Sequence, residues 1–220
     1  MASGVATSPT REQKYEAFRA LHARPGIFVI PNPWDAGSAR ILTALGFEAL
    51  ATTSAGYAFS AALEDTNLTR DGVFANAKEI LEATHLPVSA DLQNGFGKSP
   101  EACAETIRLA ADLGLAGGSI EDASNDPDEP IYEFGLAVER VEAAAEAARK
   151  AKFILTARAE NFLHDRPDLD ETVRRLVAFS KAGADVLYAP GLPSLEAIRH
   201  VCGAVAPKPV NVLMGLKGAT

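Results

Sequence analysis

The segment PVSADLQNGFG (87–97) contains an apolar, strand-like run that ends at Asp91. The same pattern, an apolar run that ends at a charged residue, occurs twice more along the chain and is the strongest indication of the fold. The other two copies are AGGSIED (116–122), which delivers Glu121, and FILTARAEN (153–161), which delivers Arg158. A buried parallel strand is a continuous apolar run, and a side chain at its C-terminal end faces the mouth of the sheet or barrel. Two carboxylates and one guanidinium at successive strand ends therefore predict a pocket for a divalent cation and an anionic substrate.

Strand-like and helical patterns alternate along the chain, which predicts a parallel sheet. The strand-like runs are 27–32, 48–54, 86–92, 116–122, 153–160, 185–190 and 210–214. The helical patterns are 11–23, 35–45, 69–84, 99–114, 134–151, 168–182 and 193–204. No linker, low-complexity tract or composition shift divides them, so residues 1–220 are predicted to form a single domain.

Two parallel architectures fit this alternation, a doubly wound sheet and a (β/α)8 TIM-type barrel. The turn after the first run, PNPWDAGSAR (31–40), lacks the G-x-G-x-x-G of a dinucleotide-binding fold. Residues suited to chemistry follow nearly every strand, which favours the barrel, whose loops converge on one face. The patterns supply seven strands, so we expect an eighth βα unit, about 30 residues, to be missing from the 220-residue chain.

Composition and charge exclude several classes of protein. The net charge of −8 argues against binding to a nucleic-acid backbone, which needs a basic patch. The longest apolar runs fall far below the roughly 18 residues of a membrane span, and the first residues lack the pattern of a secretory signal. With two cysteines, Cys103 and Cys202, a disulfide scaffold is excluded and a reducing, cytoplasmic location is predicted.

Further candidate residues follow the other strand-like runs. The turn Ser54-Ala55-Gly56-Tyr57 could hold a carboxylate through backbone N–H groups and a hydroxyl, or could simply be a tight turn that needs glycine. Asp65 could reach the same mouth, or cap a helix. Hard oxygen ligands such as Asp91 and Glu121 suit Mg²⁺ or Mn²⁺. The guanidinium of Arg158 fits a substrate carboxylate or phosphonate.

Five motifs in this order, PNPWDAGSAR, TTSAGYAFS, SADLQNGFG, SIED and ARAEN, resemble the isocitrate lyase/phosphoenolpyruvate mutase superfamily from about residue 21 to residue 214. The resemblance implies a (β/α)8 barrel, usually a tetramer, and we expect a homo-oligomer, either dimer or tetramer. It also implies Mg²⁺ and a small anionic 2-oxo or 2-hydroxy carboxylate whose chemistry passes through an enolate.

The resemblance also assigns roles to individual residues. Asp91 matches the acid that ligates Mg²⁺ directly, while Asp65 and Glu121 match acids that hold the metal through water. The turn 54–57 matches the segment that holds the substrate carboxylate, and Arg158 matches the arginine that contacts substrate. Glu160 follows Arg158 as in the mutase-like branch, and Gln93 replaces the second acid of the usual D-x-D motif. We therefore take Arg158, Glu160 and Gln93 as candidate catalytic residues.

One departure from the family pattern reduces the number of activities that we expect. The lyases carry a K-[KR]-C-G-H flap whose cysteine is a general acid/base, whereas residues 123–130 read ASNDPDEP. Without that proton donor, cleavage of isocitrate or 2-methylisocitrate is not expected. The sequence therefore predicts an Mg²⁺-dependent lyase that breaks a C–C bond next to a carbonyl, in the manner of an oxaloacetate decarboxylase. The alternatives are a hydrolase or mutase for a P–C bond in a phosphonopyruvate-like substrate, and a non-catalytic barrel that binds a carboxylate.

Overall fold

Six parallel strands form one curled half-barrel, with consecutive strands side by side, in the computed structural model, which describes residues 8–214. The strands are β1 (Leu50–Ala51), β2 (Val88–Asp91), β3 (Gly117–Glu121), β4 (Ile154–Arg158), β5 (Val186–Tyr188) and β6 (Val210–Asn211). The α-helices are α1 (Arg11–Ala23), α2 (Ala36–Ala44), α3 (Ser54–Ala61), α4 (Arg70–Ala83), α5 (Pro100–Leu113), α6 (Phe134–Ala151), α7 (Leu169–Ala182) and α8 (Leu195–Val205). This architecture is consistent with the predicted TIM-type barrel class.

Local capping explains why the helices lie where the sequence predicts them. Thr10 starts α1 with a capping box, in which its hydroxyl accepts from the Gln13 N–H and the Gln13 side chain accepts from the Thr10 N–H. At the other end of such helices, Gly114 and Gly183 stop α5 and α7 with φ angles of 108° and 111°, a conformation that glycine adopts without strain. The seven helices predicted from periodicity all form, with ends within two residues of the prediction.

The first predicted strand, residues 27–32, is wrong, because the structure assigns no strand there. The segment runs beside β1, where the Ala51 N–H donates to the Pro31 carbonyl and the Asn32 side chain donates to the Ala51 carbonyl. Pro31 and Pro33 have no N–H to continue a ladder. The Ile27 side chain is 91% exposed, so its apolar character signals an uncovered edge of the sheet rather than a buried strand.

The predicted run at 48–54 is also longer than the strand that forms. Pairing is confined to Leu50 and Ala51, and the chain then enters α3 at Ser54, with the Thr53 hydroxyl accepting from the Gly56 N–H. The turn predicted at 54–57 is therefore the first turn of a helix. This correction matters for function, because the first N–H groups of a helix have no partner within the helix.

The core places all the strand ends at one face. Helix α1 closes the opposite face, where Phe18 and Leu21 pack against Ile154 and Val186. Glycine is required in β3, because a Cβ on Gly118 would lie 2.8 Å from the Leu92 side chain. This close packing fixes the heights of β2, β3 and β4 relative to one another.

Within residues 8–214 the sheet has two edges, since β1 pairs with β2 and β6 pairs with β5. The additional βα unit expected after residue 214 lies outside the described residues. No helix within this described range has the length and apolar character needed to cross a membrane. Cys103 and Cys202 lie on α5 and α8, and neither is in a disulfide.

Candidate active site

Strands β2, β3 and β4 end on Asp91, Glu121 and Arg158, as predicted. Glu121 and Arg158 are partners in the β3–β4 register, and Asp91 is the last paired residue of β2 on the other side of β3. The carboxyl ends of parallel strands meet at one edge, so the three side chains come together from three separate segments of sequence.

Arg158 is the centre of this group. Its Nε lies 2.7 Å from Glu160 Oε1, and its two Nη atoms lie 3.3 Å from Asp91 Oδ1 and 3.5 Å from Glu121 Oε2. The ring of Tyr188, at the end of β5, lies 5.0 Å from the guanidinium carbon. Burial disfavours the charged guanidinium, but the three carboxylates outweigh burial and raise the Arg158 pKa above its ordinary value. Arg158 is therefore a fixed cation within the site.

Asp91 is held by backbone donors as well as by Arg158. Its Oδ2 accepts from the Ser54 N–H at 3.1 Å, and its Oδ1 accepts from the Gln93 N–H at 3.2 Å. Its own N–H donates to the Thr52 hydroxyl at 3.0 Å. The first N–H of α3 thus points at an acid of the site, and both carboxylate oxygens are oriented before any ligand binds.

Gln93 connects Asp91 to Asp65. The Gln93 backbone bonds to Asp91, and its side-chain Nε2 donates to the Asp65 carbonyl at 3.0 Å and to Asp65 Oδ1 at 3.3 Å. Gln93 has a φ of 47°, in the left-handed region, which turns the chain sharply after β2. Asp65 is exposed, in a 3-10 turn at Asp65–Asn67, so this amide ties a surface acid to the buried group.

Glu160 is a partner of Arg158 rather than a free acid. Its side chain is 4% exposed, and its N–H donates to Asp122 Oδ1 at 2.8 Å. Asp122 in turn pairs with Arg175 from α7 at 3.1 Å. Burial raises the Asp122 pKa to about 6, although the Glu160 N–H and Arg175 favour its charged form. This chain of contacts holds the Arg158 guanidinium in one orientation.

The other residues of the predicted turn, Ala55, Gly56 and Tyr57, do not bond to Asp91 and have other surroundings. Ala55 is exposed, and a Cβ on Gly56 would lie 2.4 Å from the indole of Trp34. The Tyr57 hydroxyl lies beside Gly72 on α4. Of the predicted turn, Ser54 is the residue that the structure bonds directly to Asp91.

The group carries more negative than positive charge, with three carboxylates around one guanidinium. Burial raises the Glu121 pKa well above its ordinary value, Arg158 opposes this rise, and Glu160 and Asp91 add to it by repulsion. Within residues 8–214, however, no three histidine, cysteine, aspartate or glutamate side chains are close enough together to hold a metal ion among them.

Sequence reasoning missed three contributors to this site. Thr52 directly follows β1, Tyr188 is the last residue of β5, and Arg175 comes from helix α7. The strand-end position of Tyr188 was a usable signal, because it precedes the loop at the same face. Arg175 gave no signal, since an arginine in an amphipathic helix usually lies on the solvated face.

The chain is similar to a known protein family and to several characterised or solved proteins. A family model described as phosphoenolpyruvate phosphomutase matches residues 18–220. A solved structure from Burkholderia cenocepacia J2315, whose name leaves open whether it is a lyase or a mutase, is 57% identical with a TM-score of 0.92, and the match covers 96% of this chain and 76% of that one. Oxaloacetate acetylhydrolase, solved with its product oxalate, is 28% identical with a TM-score of 0.83, over 90% of this chain and 71% of that one. The 2-methylisocitrate lyase of Escherichia coli K12 is 28% identical over 86% of this chain and 66% of its own length.

Proposed function

Because this chain belongs to the phosphoenolpyruvate phosphomutase family, within the isocitrate lyase/phosphoenolpyruvate mutase superfamily, we propose that it is an Mg²⁺-dependent carbon–carbon lyase. The bond that breaks joins the carbon beside the carbonyl of a small 2-oxo or 2-hydroxy carboxylate to its substituent, so that the bonding electrons pass into an enolate. Oxaloacetate, which loses its distal carboxylate as CO₂, is the simplest such substrate. Relatives with lyase or mutase names support an enzyme of this superfamily, and the substrate is our proposal.

The observation that carries the proposal is the position of Arg158 among Asp91, Glu121 and Glu160 at the strand ends. A guanidinium has five N–H donors, and these three acids engage at most three of them. The remaining donors are available to a substrate carboxylate or to the oxygen that gains charge as the bond breaks. The Arg158 side chain is 14% exposed and lies at the mouth of the sheet, so a small ligand can contact it.

The donors at this site fit Mg²⁺ in one particular way. Mg²⁺ keeps several of its waters and is commonly bound through one or two carboxylates plus substrate oxygens, so three converging side chains are not required. Asp91 would hold it directly, and Asp65 and Glu121 would hold it through water. The excess of carboxylates over cations around Arg158 supports a site whose charge a divalent cation would balance.

The cation would act as a Lewis acid toward the carbonyl oxygen of the substrate. The residues of the chain perform the other tasks. Ser54 and Gln93 fix the Asp91 carboxylate through their N–H groups, and Glu160 fixes the guanidinium of Arg158. Arg158 orients the substrate anion and stabilises negative charge in the transition state. Decarboxylation of oxaloacetate needs no proton at the breaking bond, so the lack of a flap cysteine is no obstacle.

We expect isocitrate and 2-methylisocitrate to be cleaved poorly. Residues 123–130 carry no cysteine, lysine or histidine, and loss of a positioned general acid lowers a rate by about 10²–10⁴-fold. Assay of glyoxylate and pyruvate release from these two acids checks the expectation. Efficient release from either acid would mean that another residue donates the proton.

A second candidate is chemistry at a P–C bond. The Arg158–Glu160 pair, with 2.7 Å between Nε and Oε1, forms the R-x-E pattern of the mutase-like branch, and a phosphonate can replace a carboxylate at Arg158. The matching family model carries the name of a phosphomutase.

A panel assay separates these proposals. Purified protein is incubated with oxaloacetate, longer 2-oxo acids and phosphonopyruvate, each with Mg²⁺ or with EDTA, and products are identified by NMR. Mg²⁺-dependent release of pyruvate and CO₂ from oxaloacetate, faster than in the same solution without protein, supports the lyase, whereas formation of a new phosphorus species from phosphonopyruvate supports the second candidate. Mg²⁺-dependent binding with no turnover of any compound would contradict both and favour a non-catalytic carboxylate-binding barrel.

A further inference from the structure

A cavity of about 810 Å³ lies at the strand-end face, among the segments that follow β1, β2 and β3. Gln93 forms part of its wall and also bonds to Asp91 and Asp65, so the cavity and the proposed metal site share this residue. The other walls come from the β2–α5 loop, the loop at 124–133, and the start of α4. The volume falls within the range of small-molecule sites and far exceeds what a few waters of about 30 Å³ each would fill.

Three residues in the wall of the cavity are more than nine-tenths buried and have polar atoms without a partner among the described residues. They are Gln93, Asn94 and Tyr132, with side chains 8%, 7% and 7% exposed. Asn94 Oδ1 accepts from the Phe96 N–H, and Gln93 Nε2 donates to Asp65. Among the described residues, none forms a hydrogen bond with the other polar atoms of these side chains, which are Asn94 Nδ2, Gln93 Oε1 and Tyr132 Oη. No fully buried side-chain oxygen or nitrogen of residues 8–214 lacks a partner, so these three atoms reach solvent, and the cavity is the solvent space that all three residues line.

The polar wall is rigid. Arg140 is 1% exposed and donates to the backbone carbonyls of Asn94, Gly97 and Lys98, which fixes the loop that carries Asn94. The same guanidinium lies 4.1 Å from the centre of the Tyr132 ring. A buried arginine therefore positions two of the three polar groups, which is the preorganisation expected of a binding wall.

The charge around the cavity favours a neutral ligand group over an anion. Its wall contains two basic side chains, Arg70 and Lys98, and four acidic ones. The acidic residues are Asp71, Asp126, Glu129 and Glu133. Of these, Glu133 caps α6 through the N–H groups of Gly135 and Leu136. A second carboxylate entering this space would meet more like than opposite charge.

We propose that this cavity binds the distal arm of the substrate and that Asn94 and Tyr132, with Gln93, select an arm ending in a neutral hydrogen-bonding group such as a hydroxyl. The inference rests on the proposed function, because the carboxylate end of the substrate must lie at Arg158 for its arm to enter the cavity. It extends the proposed substrate class from oxaloacetate, which has no further arm, to longer 2-oxo or 2-hydroxy acids whose arm ends in a hydroxyl rather than in a carboxylate.

Three acids with one skeleton test this selection, with Kd measured by calorimetry in Mg²⁺. They are 2-hydroxypentanoate, 2,5-dihydroxypentanoate and 2-hydroxypentanedioate, whose arms end in methyl, hydroxyl and carboxylate groups. We expect the hydroxylated acid to bind about 5- to 10-fold more tightly than the methyl-ended acid, the gain from one buried hydrogen bond. We expect the dicarboxylate to bind more weakly than the hydroxylated acid.

Tyr132→Phe removes the hydroxyl and keeps the ring beside Arg140, so the fold should persist. In this variant the preference for the hydroxylated arm should fall to about 2-fold or less, and the matched Tyr15→Phe variant on α1 should keep the full preference. Equal binding of the three acids by a protein that shows Mg²⁺-dependent turnover would overturn the inference and leave the proposed function intact. A preference that Tyr132→Phe does not change would also overturn it. Absence of binding of all three acids, together with absence of oxaloacetate turnover, would contradict the proposed function, and the inference with it.

Discussion

At the level of single residues, the positive charge of Arg158 offsets the repulsion among three neighbouring carboxylates, those of Asp91, Glu121 and Glu160. Without it, Asp91, Glu121 and Glu160 would be buried carboxylates that repel one another, with no opposite charge among their immediate neighbours. With it, the group keeps an excess of negative charge that a divalent cation can balance. Within the group, burial raises the pKa of Glu121 well above its ordinary value.

Gln93→Glu tests whether the amide replaces a metal-shell carboxylate. The variant places a carboxylate where Gln93 Nε2 now lies 3.3 Å from Asp65 Oδ1, so the two acids repel each other unless a cation lies between them. We expect a lower Tm than wild type in EDTA and a larger rise in Tm on adding Mg²⁺, both measured by calorimetry. A Tm that Mg²⁺ raises no more than in wild type would contradict the placement of Asp65 and Gln93 beside the metal.

Asp185 provides a pH test away from the site. Its Oδ2 accepts from the Leu155 N–H at 2.9 Å, and burial raises its pKa although that N–H favours the charged form. The folded protein therefore holds this proton more tightly than the unfolded chain, whose aspartates titrate near pH 3.9. The contribution to stability is fully present below that pH and is lost as the pH rises through the raised pKa.

The measurement compares wild type with Asp185→Asn, which keeps an oxygen acceptor for the Leu155 N–H. We expect the free energy of unfolding of wild type, minus that of the variant, to decrease between about pH 4 and pH 7 in urea titrations. Asp170→Asn, on the exposed side of α7, controls for the loss of one formal charge. An increase of the difference with pH would mean that Asp185 is stabilised as a carboxylate.

At the scale of elements, helix α3 is the feature that periodicity could not predict. Its sequence, SAGYAFSA, has eight residues and an exposed Phe59, so it offers too short an apolar face for a 3.6-residue pattern to stand out. The small residues predicted a tight turn that holds a carboxylate. The structure instead uses the start of a helix, and its first N–H goes to Asp91 of the protein. One of the expected backbone donors therefore bonds to an acid of the same chain, and binding of a substrate carboxylate by residues 54–57 stays a prediction.

Gly56→Ala tests how tightly α3 packs on the segment before α2. Alanine favours helix by about 1 kcal/mol, but a Cβ at this position would lie 2.4 Å from Trp34 and 2.6 Å from the Thr53 side chain. Displacing these groups costs about 1–3 kcal/mol, so we expect net destabilisation in urea unfolding. Gly203→Ala in α8 is the matched control, because a Cβ there meets nothing within 4 Å and should stabilise by about 0.5–1 kcal/mol. Stabilisation by both variants would contradict the packing of α3.

At the scale of the whole molecule, the parallel α/β order and the face that bears the site were predictable, because strand ends and helix caps are local signals. Asp91, Glu121 and Arg158 are together for that reason. The roles of Thr52, Tyr188 and Arg175 were not predictable, since they depend on register and packing between segments far apart in sequence. The homo-oligomer, the cytoplasmic location and the exact substrate stay predictions.

Mg²⁺-dependent turnover of oxaloacetate by wild type and by Asp91→Asn tests most directly whether the protein is a lyase whose metal is held by Asp91. The variant keeps an oxygen for the Ser54 or Gln93 N–H and removes the carboxylate charge that would ligate the cation. After subtraction of the rate in protein-free solution, where oxaloacetate slowly loses CO₂ by itself, we predict that wild type releases pyruvate with Mg²⁺ and not with EDTA. We predict that Asp91→Asn loses at least about 10²-fold in kcat/KM, a loss of about 2.7 kcal/mol in transition-state stabilisation. The exposed Asp112→Asn variant on α5 should retain wild-type rates. Undiminished Mg²⁺-dependent turnover by a folded Asp91→Asn variant would contradict the account.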